Sequence, residues 1–149
     1  MNKAICFVFV LSGVVSSCTT GGKSDRSVKY EQYYVEGEQL YITHCSNCHQ
    51  KSGDGLGLLY PPLNDSDYME QHVEEVICLI KNGISGEIIV NGQSYNQPMP
   101  GVASLTDLEI AEIATYIYNS WGHDKGIIEL KLVTKTLVEC SNSTDSNSN

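Results

Sequence analysis

The chain is short of positive charge. Nine lysines and arginines face 18 acidic residues, a formal net charge of −9 at pH 7. A polyanion would be repelled, so nucleic acid is excluded as a partner. The chain also lacks an apolar run long enough to span a bilayer. The run from Ile5 to Val15 is about 11 residues, broken by Ser12 and Gly13, where about 20 are needed. No internal repeat is visible. Glycine and proline are not in excess (13 and 4), hydrophobic residues make up 41% and charged residues 18%, which excludes a disordered or collagen-like chain. At 149 residues there is room for one domain and little more. What the chain does have is six cysteines: Cys6, Cys18, Cys45, Cys48, Cys78 and Cys140. An even count invites a disulfide framework, but their surroundings divide them differently.

The N-terminus reads as an address. Lys3 supplies a positive n-region and Ile5 to Val15 a signal core. The run ends Val15-Ser16-Ser17-Cys18, which resembles a bacterial lipobox. The resemblance implies that residues 1–17 are a lipoprotein signal peptide and that the Cys18 thiol carries lipid. An ordinary secretory signal with a Cys near its cleavage site is the competing reading. The next residues, TTGGKSDRS, are polar and tether-like. Residues 18–30 are therefore read as a flexible tether, 31–140 as one domain, and 141–149 as a disordered polar tail. Lipid would hold the protein on a membrane surface without a spanning helix. The expected location is the bacterial cell envelope, lipid-anchored and periplasm-facing. Thr19, where an inner-membrane lipoprotein often has Asp, points by resemblance to the outer membrane. Cleavage removes Lys3 and no acid, leaving 8 basic and 18 acidic residues, a charge of −10.

The domain reads as mainly α. A first helix is expected from near Gln32 to Cys45, with Tyr34, Gly37, Leu40 and Tyr41 on roughly one face. Residues 50–65 are rich in glycine and contain Pro61-Pro62, so they form a loop. A second helix is expected over 67–82, with Met69, Val73, Val76, Ile77 and Ile80 at helical spacing, Asp67 and Glu70 as a capping pair, and Gly83 at its stop. Asn91-Gly92 reads as the turn of a small hairpin, Glu87–Val90 with Gln93–Tyr95. Thr106 and Glu109 form a capping box for a third helix over 106–120, whose stripe is Ile110, Ile113, Ala114, Ile117 and Trp121. Residues 128–139 read as a last short helix or an edge strand. Three to four short helices with long loops make a thin core, and such domains usually need a staple or a cofactor.

The chemistry sits in Cys45-Ser46-Asn47-Cys48-His49, a C-x-x-C-H motif. Helix geometry puts Cys45 and Cys48 on one face of one turn, where both thiols can add to the vinyl groups of a haem. His49 follows and can bind the iron. A structural zinc site wants four ligands, with a second Cys or His pair at short spacing, and none is present. A thioredoxin-like pair wants a strand before it and a βαβ context, and neither is present.

At this point the chain resembles a class I cytochrome c domain, over about residues 34–122 and at most as far as 140. Gly37 with Leu40-Tyr41 is similar to the family's N-terminal helix face. Leu105-Thr106-Asp107 and the ending Tyr116-Ile117-Tyr118-Asn119-Ser120-Trp121-Gly122 are similar to its C-terminal helix. Val90-Asn91-Gly92, Tyr95 and Met99-Pro100-Gly101 resemble the ligand loop of cytochromes serving alcohol dehydrogenases and nitrite reductases. The resemblance implies a class I fold around one covalently bound haem c, with the two helices crossing at Gly37. With the rigidity of a Met between Pro98 and Pro100, it implies Met99 as the sixth ligand. Met69, His72, His123 and His44 compete: Met69 is explained by packing, His123 is expected in solvent and His44 on the outer helix surface. The resemblance also implies that His49 donates its other ring N–H to a carbonyl in Pro61-Pro62-Leu63. Tyr95, Leu63, Leu105 and Trp121 are candidate pocket residues, with plain core packing as the alternative.

A haem iron with His49 and Met99 as its axial ligands has no open position for substrate, which suits electron transfer. The expected function is a one-electron carrier outside the cytoplasm. Its donor would be a quinol-oxidising complex or a dehydrogenase, and its acceptor an oxidase or reductase. The acidity suggests a basic docking patch on a partner and salt-sensitive association. The alternative is the electron-accepting cytochrome subunit of a periplasmic dehydrogenase or reductase complex. Catalysis by the haem itself is a third reading, which requires that Met99 not bind iron. Cys6 leaves with the signal, and Cys78 and Cys140 remain. An exported location permits a disulfide between them; one buried free thiol and one tail thiol is the alternative.

Overall fold

The computed structural model describes residues 27–146, with the side chains of residues 27–142. The signal peptide, Cys6, Cys18, most of the tether and residues 147–149 lie outside the described residues.

Helix α1 (Val28–His44) starts at Ser27, whose Oγ accepts from the Tyr30 N–H at 3.2 Å. It therefore begins inside the segment read as tether. One contact from far along the sequence holds this first turn, Lys29 with Glu129 at 2.6 Å, and Tyr30 is buried. The buried positions Tyr30, Gly37 and Tyr41 share one face. A short turn, α2 (Ser46–His49), follows almost in line, since the Cys45 N–H still bonds the Tyr41 carbonyl at 2.9 Å.

The expected helix over 67–82 is two helices, α3 (Asp67–Gln71) and α4 (Val73–Asn82). The break falls at His72, with φ −127° and ψ 44°. The cap of α3 is Ser66, whose Oγ accepts from the Met69 N–H, and not the expected pair of Asp67 and Glu70. Asp67 is engaged elsewhere. It and Asn91 exchange two hydrogen bonds, Asn91 N–H to Asp67 Oδ1 at 2.7 Å and Asp67 N–H to Asn91 Oδ1 at 3.0 Å. This ties α3 to the hairpin of β2 (Ile88–Val90) and β3 (Gln93–Tyr95), which turns through Asn91 and Gly92, both at positive φ. A second, two-residue sheet pairs β1 (Gly83–Ile84) with β4 (Met99–Pro100), antiparallel.

Helix α5 (Asp107–Ile117) carries the expected capping box, complete in both directions. It crosses α1 at Gly37, where an added Cβ would run into the carbonyl of Glu112 and lie 2.9 Å from the Tyr116 Cβ. The last element is α6 (Leu130–Ser146), a helix and not an edge strand. It runs on past 140 into the segment read as a disordered tail, and Cys140 on it is bonded to Cys78 of α4. The result is mainly α, with six helices rather than three to four among the described residues. Tyr41, Met69, Ile77, Ile110, Ile113, Tyr118 and Val133 form the buried centre between α1, α3, α4, α5 and α6.

Candidate functional site

One apolar cleft opens between α2, the 50–66 loop, α4 and the β1/β4 strands. Its inner part spans about 590 Å³ and its outer part about 500 Å³, both counting space open to solvent. His49, Pro61, Leu79, Ile88 and Met99 line both parts. Cys45 faces the inner part and Cys48 the outer. Thus the four residues singled out from sequence meet at one site. All four prolines of the chain line it: Pro61 and Pro62 the inner part, and Pro61, Pro98 and Pro100 the outer.

The turn that carries the thiols is fixed by its backbone. Cys48 and His49 N–H both donate to the Cys45 carbonyl, at 3.2 and 3.0 Å. Tyr41, fully buried beneath it, donates its hydroxyl to the Gln50 carbonyl at 2.6 Å. Neither forms a disulfide. Burial, with a smaller contribution from the neighbouring Cys48, pushes the Cys45 thiol up to about 11. That is the wrong direction for a thiolate-based redox pair, which needs a lowered value.

His49 is 8% exposed. Its Nδ1–H donates to the Pro61 carbonyl at 3.0 Å, which selects one carbonyl from the expected Pro61–Leu63 stretch. This bond fixes the tautomer and leaves Nε2 as the basic nitrogen. Nε2 has no hydrogen-bond partner among the described residues. Burial lowers the imidazole pKa, and the bond to Pro61 only partly opposes it, so the ring is kept neutral and able to ligate.

Met99 is half-buried in β4, its backbone paired with Ile84. Gly83 makes that pairing possible: an added Cβ would strike the Met99 carbonyl oxygen, and its φ of +74° already favours glycine. One bond further on, the Val102 N–H donates to the Ile80 carbonyl at 3.0 Å.

The competing ligands are placed elsewhere, with one partial exception. His44 is exposed. His72 is exposed and lies 3.3 Å from Glu75. His123 is not in open solvent as expected: its Nε2–H donates to the Leu63 carbonyl at 2.9 Å, clamping the loop next to Pro61. Met69 does touch the inner cleft, but it is 2% exposed and packed in the core. Of the four candidate pocket residues, Leu63 and Tyr95 line the cleft. Leu105 is core, and Trp121 packs on Tyr41 and Tyr116 with its ring over Gly53. The sequence reading missed Tyr68, Leu79 and Ile88 on the walls; their apolar spacing was the only local sign.

Two thiols on one turn, a neutral imidazole with one free nitrogen, and a thioether lining the same apolar cleft fit a covalently held haem. Among the described residues no group of three or more His, Cys, Asp or Glu is placed to hold a bare metal ion. No helix among them is long and apolar enough to cross a membrane.

Comparison with known proteins agrees with this geometry. The family model for cytochrome c matches residues 34–121. Two proteins of Thermus thermophilus named cytochrome c-552 are 32% identical over 110 residues. Those matches cover 67% of this chain and 79% and 70% of the two relatives. The cytochrome c subunit of a quinone alcohol dehydrogenase from Gluconacetobacter polyoxogenes is 29% identical over 105 residues. That match covers 68% of this chain and 22% of the subunit.

Proposed function

The chain belongs to the cytochrome c family, and on that premise we propose how its residues serve the family's covalent haem c. The family function is electron transfer, and the chain is an electron-transfer protein of the class I fold rather than an enzyme. When bound, the haem iron supplies a one-electron change between ferric and ferrous states.

In our reading, Cys45 and Cys48 would hold the group by thioether bonds, and His49 Nε2 and Met99 Sδ would ligate its iron. The Pro61 carbonyl keeps the imidazole in the ligating tautomer. The Met99 thioether favours the ferrous state and so raises the potential relative to a second imidazole. The apolar walls exclude water, so little has to reorganise when the charge changes. Held by both His49 and Met99, the iron would have no protein-free ligand place for a substrate. The observation that carries this reading is that His49 and Met99 both line the inner and the outer part of one apolar cleft, whose lining also includes Cys45 and Cys48.

The protein is then a one-electron carrier, tethered outside the cytoplasm of a bacterial cell by lipid on Cys18. Its donor would be a quinol-oxidising complex or a dehydrogenase, its acceptor an oxidase or reductase. A second reading, the electron-accepting subunit of a periplasmic complex, is favoured by the likeness to the alcohol dehydrogenase subunit. A potentiometric titration of the purified holoprotein tests the function. A single reversible one-electron wave is expected, and an irreversible or two-electron response would contradict it. Salt separates the two readings: a carrier dissociates from partners as ionic strength rises, a fixed subunit co-purifies through it. Cys18→Ser should release the protein from membranes; retention there would refute the lipid anchor.

A further inference from the structure

We propose that Lys81 is a positioning residue for Met99. The inference rests on the reading of Met99 as an iron ligand. The segment that carries Met99 is poorly supplied with backbone donors, because Pro98 and Pro100 on either side have no N–H. It must nevertheless hold a thioether at a fixed place in the cleft. Among the described residues, its anchors come from the C-terminal end of α4 and the strand that follows. Gly83 and Ile84 pair with Pro100 and Met99, and the Ile80 carbonyl accepts from Val102. Lys81 lies between these two anchors. Its Nζ donates to the Ala103 carbonyl at 2.8 Å and to the Leu105 carbonyl at 2.6 Å.

These two bonds close the segment. Residues 99–105 leave the cleft and must turn to enter α5, and Leu105 is buried at the turn, 3% exposed. Their carbonyls accept from a charged donor that reaches back from the helix holding the other wall of the cleft, where Leu79 and Ile80 lie. Charge-assisted bonds are the stronger kind, and the ammonium's long stem lets one side chain span two carbonyls two residues apart. The ammonium is therefore a clip from α4 onto the ligand loop, and it acts on the iron only through Met99.

The test uses oxidised wild-type holoprotein and the variants Lys81→Met, which keeps the length and removes the donors, and Lys81→Arg, which restores donors. Two signals are followed as urea rises: the long-wavelength sulfur-to-ferric charge-transfer band and the far-ultraviolet helix signal. In Lys81→Met the band should vanish at lower urea than in wild type, while the helix midpoint moves less. The fraction of molecules lacking the band in buffer should rise roughly tenfold, as expected for losing bonds to a charged donor. Lys81→Arg should recover most of the band's resistance. If Lys81→Met fails to fold, Lys81→Gln, which keeps a shorter and uncharged donor, should shift the band in the same direction but less, and an unmoved band there overturns the inference. Equal shifts of band and helix signal would make Lys81 a general stabiliser and overturn the inference, as would a band unmoved by the substitution. A wild-type protein without the band overturns the Met99 assignment, and this inference with it; a wild-type band that Lys81→Met leaves unchanged overturns this inference alone.

Discussion

Gly37 of α1 lies directly against the backbone carbonyl of Glu112 in α5, with no room for a side chain between them. The contact sets how closely the two helices cross. Through α1 it also sets where the Cys45–His49 turn is delivered, because α1 runs into that turn. On the other side, α5 presents Ile113 and Ile117 to the inner cleft. Gly37→Ala must push the helices apart, and we expect a loss of about 1–3 kcal/mol, the usual range for overpacking. Urea unfolding of the holoprotein measures it. A stability within error of wild type would mean the crossing yields easily and does not position the turn.

The capping box of α5 predicts a pH dependence with a definite sign. Hydrogen bonds from the Thr106 backbone, and then from its hydroxyl, hold the Glu109 carboxyl below its ordinary value of 4.5. A folded-state value depressed in this way stabilises the protein above the unfolded value. That contribution is lost as pH falls below about 4.5 and through the depressed value. The gap in urea midpoint between wild type and Glu109→Gln should therefore narrow as pH drops from 5 to 3. A gap that stays constant would show that the carboxylate form does not matter to the cap. Thr106→Ala should cost about 1 kcal/mol at neutral pH.

Cys78 and Cys140, 62 residues apart in sequence, bridge α4 to α6 with their Cα atoms 6.2 Å apart. A loop of that size is worth roughly 3–5 kcal/mol in the chain-entropy account. The paired variant Cys78→Ser/Cys140→Ser should lose stability of that order. Thiol titration of the unfolded, unreduced holoprotein decides whether the bond is present in the cell-made protein. No reactive thiol is expected from this pair, and two would refute the bridge.

Features that depend on neighbours in sequence were legible without a structure. The C-x-x-C-H turn, the Asn91-Gly92 hairpin and the Thr106–Glu109 box each show their chemistry within five residues. So did the glycine at the helix crossing, once the resemblance named its role. What could not be read are contacts between distant segments. The apolar stripe Met69, Val73, Val76, Ile77 and Ile80 runs unbroken through the kink at His72, so periodicity gave no sign of two helices. The polar composition before residue 31 hid a helix start that Tyr30 burial and the Lys29–Glu129 pair support. Which carbonyl accepts from His49 Nδ1–H, what His123 holds, and where the Lys81 ammonium reaches are all set by the packing of loops 12 to 60 residues away.

The central claim, that His49 and Met99 together hold the iron of an electron carrier, is tested most directly by the oxidised spectrum and reduction potential of wild type and Met99→Ala. The wild-type protein should show the long-wavelength sulfur-to-ferric band. The variant should lose it and titrate at a lower potential. A variant with an unchanged spectrum and potential would place the sixth ligand elsewhere and contradict the account.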